Sequence, residues 1–241
     1  MDAFASSLQC RGKAARLASL LVLCIGMTSM WGCSHTAVDP YEQTNRKIQA
    51  FNDGADRVLF KPVAKAYRTV TPDFAEAGIA NFISNLNEPY TALNQLLQGK
   101  PGLAIHDLGR FLINSTFGLG GLIDAGTDLG LEKHTEDLGQ TLGVWGMGAG
   151  PYLVLPIFGP SNPRDAIGLI GNNLGNPPVY LEDRGARNAA VGMQIIDARA
   201  QLLKAERLIR GDRYLFLRDA YLQRRDYLVN DGVVEDSFLD D

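Results

Sequence analysis

Apolar residues recur along most of the chain with helical rather than strand spacing. Asp39-Pro40-Tyr41-Glu42 reads as a helix start: a capping aspartate, proline at the first helical position, and a glutamate three residues after the cap. Ile48, Phe51, Ala55, Val58 and Leu59 continue that helix, and Pro62 interrupts it. Val63 to Val70 forms a short segment. Thr71-Pro72 then opens a helix carrying Phe74, Ala77, Ile79, Phe82, Ile83 and Leu86. Asn87-Glu88-Pro89 opens the next, running to Leu97. Gly99-Lys100-Pro101 separates it from a helix with Leu103, Ile105, Leu108, Phe111, Leu112 and Ile113, and Asn162-Pro163 starts a later one. Proline suits these starts because its missing N–H would be unpaired there in any residue. No sustained alternation and no Asn-Gly or Asp-Gly hairpin signal is present. The pattern predicts an all-α domain of many short helices.

The C-terminal third carries the clearest periodicity. Val191, Ile195, Ala198, Leu202, Ala205 and Ile209 fall on one stripe, with Arg199, Lys204 and Arg207 turned elsewhere. Gly211-Asp212 breaks this helix. Tyr214 to Val229 forms a second, so the pair reads as an αα-hairpin ended by Asn230-Asp231-Gly232. Residues 233–241 form an acidic tail, expected to be disordered.

The middle is different. Six of the eleven prolines lie between Pro151 and Pro178, and Gly139, Gly143, Gly146, Gly148 and Gly150 crowd the segment beside Trp145. Asn172, Asn173 and Asn176 flank Leu174. Gly139 with Gly143, and Gly171 with Gly175, have the spacing that lets helices approach closely. Two readings stay open: tight turns with close packing, or the wall of a membrane-embedded channel. Irregular backbone survives at membrane depth only when buried in protein or lining a wet cavity.

The first 32 residues change what the rest must do. Arg11, Lys13 and Arg16 precede an apolar run, Leu17 to Met27, which is too short for a relaxed membrane-spanning helix. The segment reads as an export signal; an uncleaved anchor helix is the alternative. Gly32-Cys33 resembles the processing site of bacterial lipoproteins, in which a small residue precedes a cysteine acylated after cleavage. Met30 and Trp31 depart from the usual residues there. Ser34 follows where an aspartate would be the usual inner-membrane retention signal, which resembles an outer-membrane sorting choice. Cys10 and Cys24 fall inside the signal, so Cys33 alone remains and no disulfide can form. Residues 33–38 are a lipidated tether, and two or more acyl chains anchor a protein stably. From Cys33 onward the chain has 20 basic and 26 acidic residues, a net charge of −6. That argues against nucleic-acid binding and against attraction to an anionic surface. The length is sufficient for one domain with a sizeable core.

Catalytic and cofactor motifs are missing. Gly159-Pro160-Ser161 is a proline-bound turn and no Gly-x-Ser-x-Gly elbow occurs. There is no Gly-Lys-Ser/Thr phosphate loop, and Gly146-x-Gly148-x-Gly150 lacks the strand and helix of a dinucleotide site. His106-Asp107, and His134 with Glu136-Asp137, lack metal-ligand spacing and read as hydrogen-bonding or surface groups. Asp124 and Asp128 read as solvated or capping. The expectation is no enzyme, no cofactor and no metal.

From Asp39 to about Gly232 the chain resembles the MlaA family, also called VacJ, of outer-membrane lipoproteins. The resemblance rests on Asp39-Pro40-Tyr41-Glu42, Asn85-Leu86-Asn87-Glu88-Pro89, Leu97-Gln98-Gly99-Lys100-Pro101 and Arg110-Phe111-Leu112-Ile113-Asn114. It continues through Gly118 to Asp124, Gly139-Gln140-Thr141-Leu142-Gly143, Gly150 to Pro156, Arg199 to Leu203 and Arg218 to Tyr227. It implies a ring-like helical domain over residues 39–232, lying in the inner leaflet of the outer membrane on the periplasmic side. A central amphipathic channel would take phospholipids misplaced in the outer leaflet toward the periplasm. The implied partners are phospholipid, a trimeric outer-membrane porin and the periplasmic lipid carrier MlaC. Without an ATPase motif such a channel is passive. A polar path lowers the cost of moving a charged headgroup through hydrocarbon. Gly143, Trp145, Gly146, Gly148, Asn172 and Asn173 are the candidate path residues. The alternatives are a lipid-modifying enzyme such as a phospholipase, or a porin-associated structural lipoprotein. Mass spectrometry of the mature N-terminus checks the anchor: the first residue is expected to be acylated Cys33, and any other first residue refutes it.

Overall fold

The computed structural model describes residues 39–233. The export signal (1–32), Cys33 with its tether, and the tail from 234 onward lie outside the described residues.

The first helix, α1, runs Glu42–Ala55 and passes through a π-helical turn, Asp56–Phe60, into α2, Lys61–Val70. Two sequence expectations are corrected here. Asp39 does not cap α1; Tyr41 occupies the cap position without a side-chain bond. Asp39 instead accepts hydrogen bonds from Asn45 Nδ2 at 2.9 Å and from the Tyr214 hydroxyl. Nor does Pro62 end the helix. It enters at the start of α2, where the widened turn before it, with Lys61 N–H donating to the Asp56 carbonyl, absorbs the missing donor and the ring.

A long helix, α3, spans Asp73–Leu97 with Pro89 inside it. Asn87-Glu88-Pro89 therefore opens no new helix, and Thr71 ends α2 in an extended conformation rather than capping α3. Packing against the next helix, α4 (Pro101–Thr116), holds the ladder across the proline. Pro101 sits at the start of α4, as its sequence position predicts. After a short α5 (Ala125–Asp128) and an irregular stretch comes α6 (Leu138–Val144), capped by Asp137. Then β1 (Leu153–Leu155) and β2 (Gly159–Ser161) form an antiparallel hairpin with Val154 opposite Pro160. No Asn-Gly or Asp-Gly pair marks this hairpin, because Ile157 and Gly159, both at positive φ, turn it instead. The hairpin leaves the domain mostly helical.

The helix α7 (Pro163–Leu174) is capped by Asn162, whose Oδ1 accepts from Asp165 N–H at 2.8 Å, as predicted. A 3-10 turn at Pro177–Tyr180 leads to α8 (Arg184–Ala205), another 3-10 turn at Glu206–Leu208, and α9 (Arg213–Val229). These last two helices make no hairpin of their own. The main partners of α8 are α2 and α3, and those of α9 are α6 and β2. Arg199 draws α8 to the π turn through a bidentate bond to Asp56 at 2.6 and 2.8 Å.

The interior departs most from the sequence reading. The apolar core is small: Tyr152, Val154 and Tyr214, with Ile48, Leu215, Tyr221 and Leu222 around them. Most other buried side chains are polar, including Asn45, Asn85, Glu88, Asn94, Gln95, Asp107, Arg110, Asn114, Thr141 and Asp197. On α4 the inward stripe is Ala104, Asp107, Arg110 and Asn114, while Ile105 and Leu112 face outward. On α8 the buried residues are Asp197 and Ala200, and Ile195 and Leu202 of the apolar stripe are exposed.

Close approach of α6 and α7 rests on glycine. A Cβ at Gly168 would sit 2.5 Å from the Gly139 nitrogen, and one at Gly171 would sit 2.2 Å from Leu138 Cδ2. Gly168→Ala is expected to destabilise the fold by about 1–3 kcal/mol through overpacking. Gly192→Ala, in α8 with nothing near it, is expected to gain about 0.5–1 kcal/mol. Unfolding of both variants in detergent micelles measures the contrast.

Candidate functional site

Two polar networks organise the inward faces of the helices. The first lies between α3 and α4. Arg110 is 1% exposed and surrounded by acceptors: Glu88 at 3.4 Å, Asp124 at 2.8 and 3.1 Å, Thr127 at 3.2 Å and the Leu131 carbonyl. Asn114 donates to Asp124 at 3.1 Å and accepts the Gly126 N–H at 2.8 Å. One guanidinium thus fixes α3, α4 and the loop carrying α5. Burial raises Asp124, but Thr127, the Arg110 charge and Asn114 outweigh it and hold this carboxyl below its usual range. Glu88 goes the other way, because its burial outweighs Arg110.

The second network joins α6, α7 and α9. Arg225 of α9 donates to Asp137 at 2.6 and 3.1 Å and to Asp165 at 2.9 Å. Asp137 caps α6 by accepting the Gln140 N–H at 2.9 Å. Asp165 also accepts from Tyr221 at 2.5 Å and from Asn162 at 2.8 Å. Burial raises both aspartates, yet their hydrogen bonds and the Arg225 charge bring them below the ordinary range.

Of the predicted path residues, Gly143 and Asn172 adjoin this second network, and the others differ in surroundings. Gly143 is a packing position: a Cβ there would meet Val229 at 2.8 Å and Arg164 at 2.9 Å. Asn172 is half-buried, accepting from Leu138 N–H and from the Tyr90 hydroxyl, each at 2.9 Å. It therefore ties α7 to α6 and to α3. Trp145 is exposed, and its indole N–H donates to the Leu97 carbonyl at 2.9 Å. Gly146, at φ 91°, ends α6 in a Schellman arrangement, with Met147 N–H reaching Leu142 O at 2.9 Å and Gly146 N–H reaching Gly143 O at 2.8 Å. Gly148 and Asn173 are exposed. Asp137, Asp165, Tyr221 and Arg225, with Asn172 and Leu155, line a pocket of about 180 Å³. Sequence reasoning missed the four charged and phenolic groups, because Tyr221 and Arg225 of α9 lie 56 or more residues along the chain from the aspartates they meet.

Three scattered residues also come together. His106 and Asp107 on α4 meet His134 from the irregular stretch before α6. Neither histidine is bonded to a serine; Ser115 accepts from Asn85, and Ser161 Oγ donates to the Asn162 carbonyl.

The outward face is apolar. Val58, Phe74, Phe117, Ile105, Ile170 and Phe158 are each at least 70% exposed. Surface of this kind marks a protein or membrane contact. No helix among the described residues is long and apolar enough to cross a membrane.

The buried carboxyls set a two-sided dependence on pH. Glu88, Glu136 and Asp197, raised chiefly by burial, bind protons more tightly folded than unfolded. Their contribution grows as pH falls toward their ordinary values of 4.5, 4.5 and 3.8. Asp137 and Asp165, lowered on balance, contribute fully above 3.8 and lose it as pH falls through their lower folded values. Stability on acidification from neutral is therefore expected to rise slightly, then drop below about pH 4, with the drop reduced in Arg225→Met. A pH series of thermal melts tests this; a monotonic fall from pH 7 would contradict the raised set.

The family model for "MlaA lipoprotein" matches residues 37–228. The chain is 36% identical over 228 residues to the intermembrane phospholipid transport system lipoprotein MlaA of Escherichia coli, covering 88% of this chain and 89% of that one. It is 36% identical over 207 residues to the MlaA of Haemophilus influenzae, covering 83% and 82%. A solved structure from work on the structural basis for maintenance of bacterial outer membrane lipid asymmetry superposes with a TM-score of 0.69 at 37% identity, covering 80% of this chain and 99% of that one. With the helical order, the polar interior and these matches together, the chain belongs to the MlaA lipoprotein family.

Proposed function

We propose that this protein is the outer-membrane lipoprotein of an intermembrane phospholipid transport system, and that it maintains lipid asymmetry by removing misplaced phospholipid from the outer leaflet. The observation that carries the reading is the inverted partition: polar side chains inside, large apolar side chains outside. In water each exposed Leu, Ile or Phe forgoes roughly 1.5–3 kcal/mol of burial, and a hydrocarbon surrounding restores it. The helices lie within one leaflet, the inner, their exposed apolar side chains in its hydrocarbon and acylated Cys33 holding them there. The polar inward stripes of α3 and α4 and the network around Arg225 then bound a wet path through a ring-like body.

Trp145, Gly146, Gly148 and Asn173 are exposed where that path opens, and Gly143 and Asn172 hold its wall together. A headgroup passing between hydrogen-bonding side chains avoids most of the cost of entering hydrocarbon. The path performs no covalent step and uses no nucleotide, so direction comes from partners. A trimeric porin supports the apolar belt, and the periplasmic carrier MlaC accepts the lipid. The relatives named above are transport lipoproteins, and this reading follows them rather than a phospholipase.

The test is transfer of labelled phospholipid from outer membrane to carrier. Trp145→Ala, Gly148→Trp and Asn173→Trp are expected to lower the rate roughly tenfold, the effect of about 1.4 kcal/mol on a barrier. Undiminished transfer in all three removes the path assignment. Normal surface phospholipid in a deletion strain removes the function itself.

A further inference from the structure

We infer that His106, Asp107 and His134 form a binding site for a single divalent transition-metal ion of the zinc class. His134 Nδ1 lies 2.7 Å and His106 Nδ1 3.4 Å from Asp107 Oδ1. The two imidazoles stand edge to face with centroids 5.1 Å apart. One donor atom from each of the three residues lies within 4.8 Å of the others. Tetrahedral coordination at about 2.0–2.1 Å requires donors roughly 3.3 Å apart, which small side-chain rotations supply.

A second observation points to a cation. The Asp107 carboxylate is wholly buried, and its Oδ2 has no hydrogen-bond partner. Glu88 on the neighbouring α3 also leaves Oε2 unpaired. Arg110 is already shared between Glu88 and Asp124. This part of the interior therefore has more carboxylate oxygens than donors, and a doubly charged ion redresses that balance. Two imidazoles and one carboxylate suit zinc and its neighbours, whereas magnesium and calcium take oxygen donors. His106 and His134 are each about a quarter exposed, which leaves a side open for water to complete the shell. Bound there, the ion pins the irregular stretch before α6 to the inward stripe of α4, one turn from Arg110.

The site is tested by titrating chelator-treated full-length protein with Co2+ and then Zn2+. Expected are one Co2+ per chain with the visible absorption of a four-coordinate ion, its displacement by one equivalent of Zn2+, and a rise in Tm on Zn2+ addition. His106→Gln and His134→Gln are expected to weaken binding roughly tenfold or more. His134→Cys, which restores a zinc ligand, keeps Zn2+ binding, and His35→Gln has no effect. The inference is overturned by the absence of stoichiometric Co2+ binding in the intact protein. It is equally overturned if binding survives both glutamine variants or is lost in His35→Gln.

Discussion

A guanidinium taken out of water must find acceptors for its N–H groups, and around Arg110 that requirement sets how α3, α4 and the loop carrying α5 meet. Glu88 reaches it from α3, Asp124 and Thr127 from the loop beyond α4, and the Leu131 carbonyl from further along. Apolar packing cannot do this work, because most of the large apolar side chains point outward. The buried face must therefore be held by directed bonds, each with a length and an angle to satisfy. Such bonds specify one arrangement more sharply than a greasy interface does, and they fail abruptly when a partner is removed.

The same logic recurs at longer range. Arg225 gathers the cap of α6 and the first turn of α7, Arg199 holds α8 to the π turn, and Asp39 receives both α1 and α9. All of these ties but the one from Asp39 to Asn45 join residues distant in sequence. The elements are assembled chiefly by a few charged and amide groups, with Tyr152, Val154 and Tyr214 filling a small apolar centre. A membrane face suits this plan. Where the surroundings are hydrocarbon, the scarce resource is polar partners, and the protein keeps those for itself.

Helical periodicity and proline-led starts were legible in the residues, and Pro101 and Asn162-Pro163 sit where they were expected. The direction of each apolar stripe was not. Ile195 and Leu202 repeat with the right period whether they face a core or a lipid, and periodicity alone carries no sign. Pro89 and Pro62 lie within helical runs for a related reason: tertiary contact and a π turn tolerate a proline that local propensity forbids. At the candidate site, the glycines and asparagines stood out by composition. Asp137, Asp165 and Arg225 did not, since a charge becomes informative only once the fold shows what it faces.

The hairpin shows what such directed bonds accomplish away from any site. Asn45 and Asn52, two turns apart on α1, present their amides to the outer edge of β1. Asn45 spans the Tyr152 carbonyl and the Val154 N–H, and Asn52 spans the Leu155 carbonyl and the Ile157 N–H, all within 3.0 Å. The two side chains thus occupy the positions that another strand's backbone would take. An open strand edge is a template for adding strands from other copies. A chain with so much apolar surface is most exposed to that hazard before it meets lipid. By engaging these groups from within, α1 competes with any second molecule that would extend the hairpin on that side.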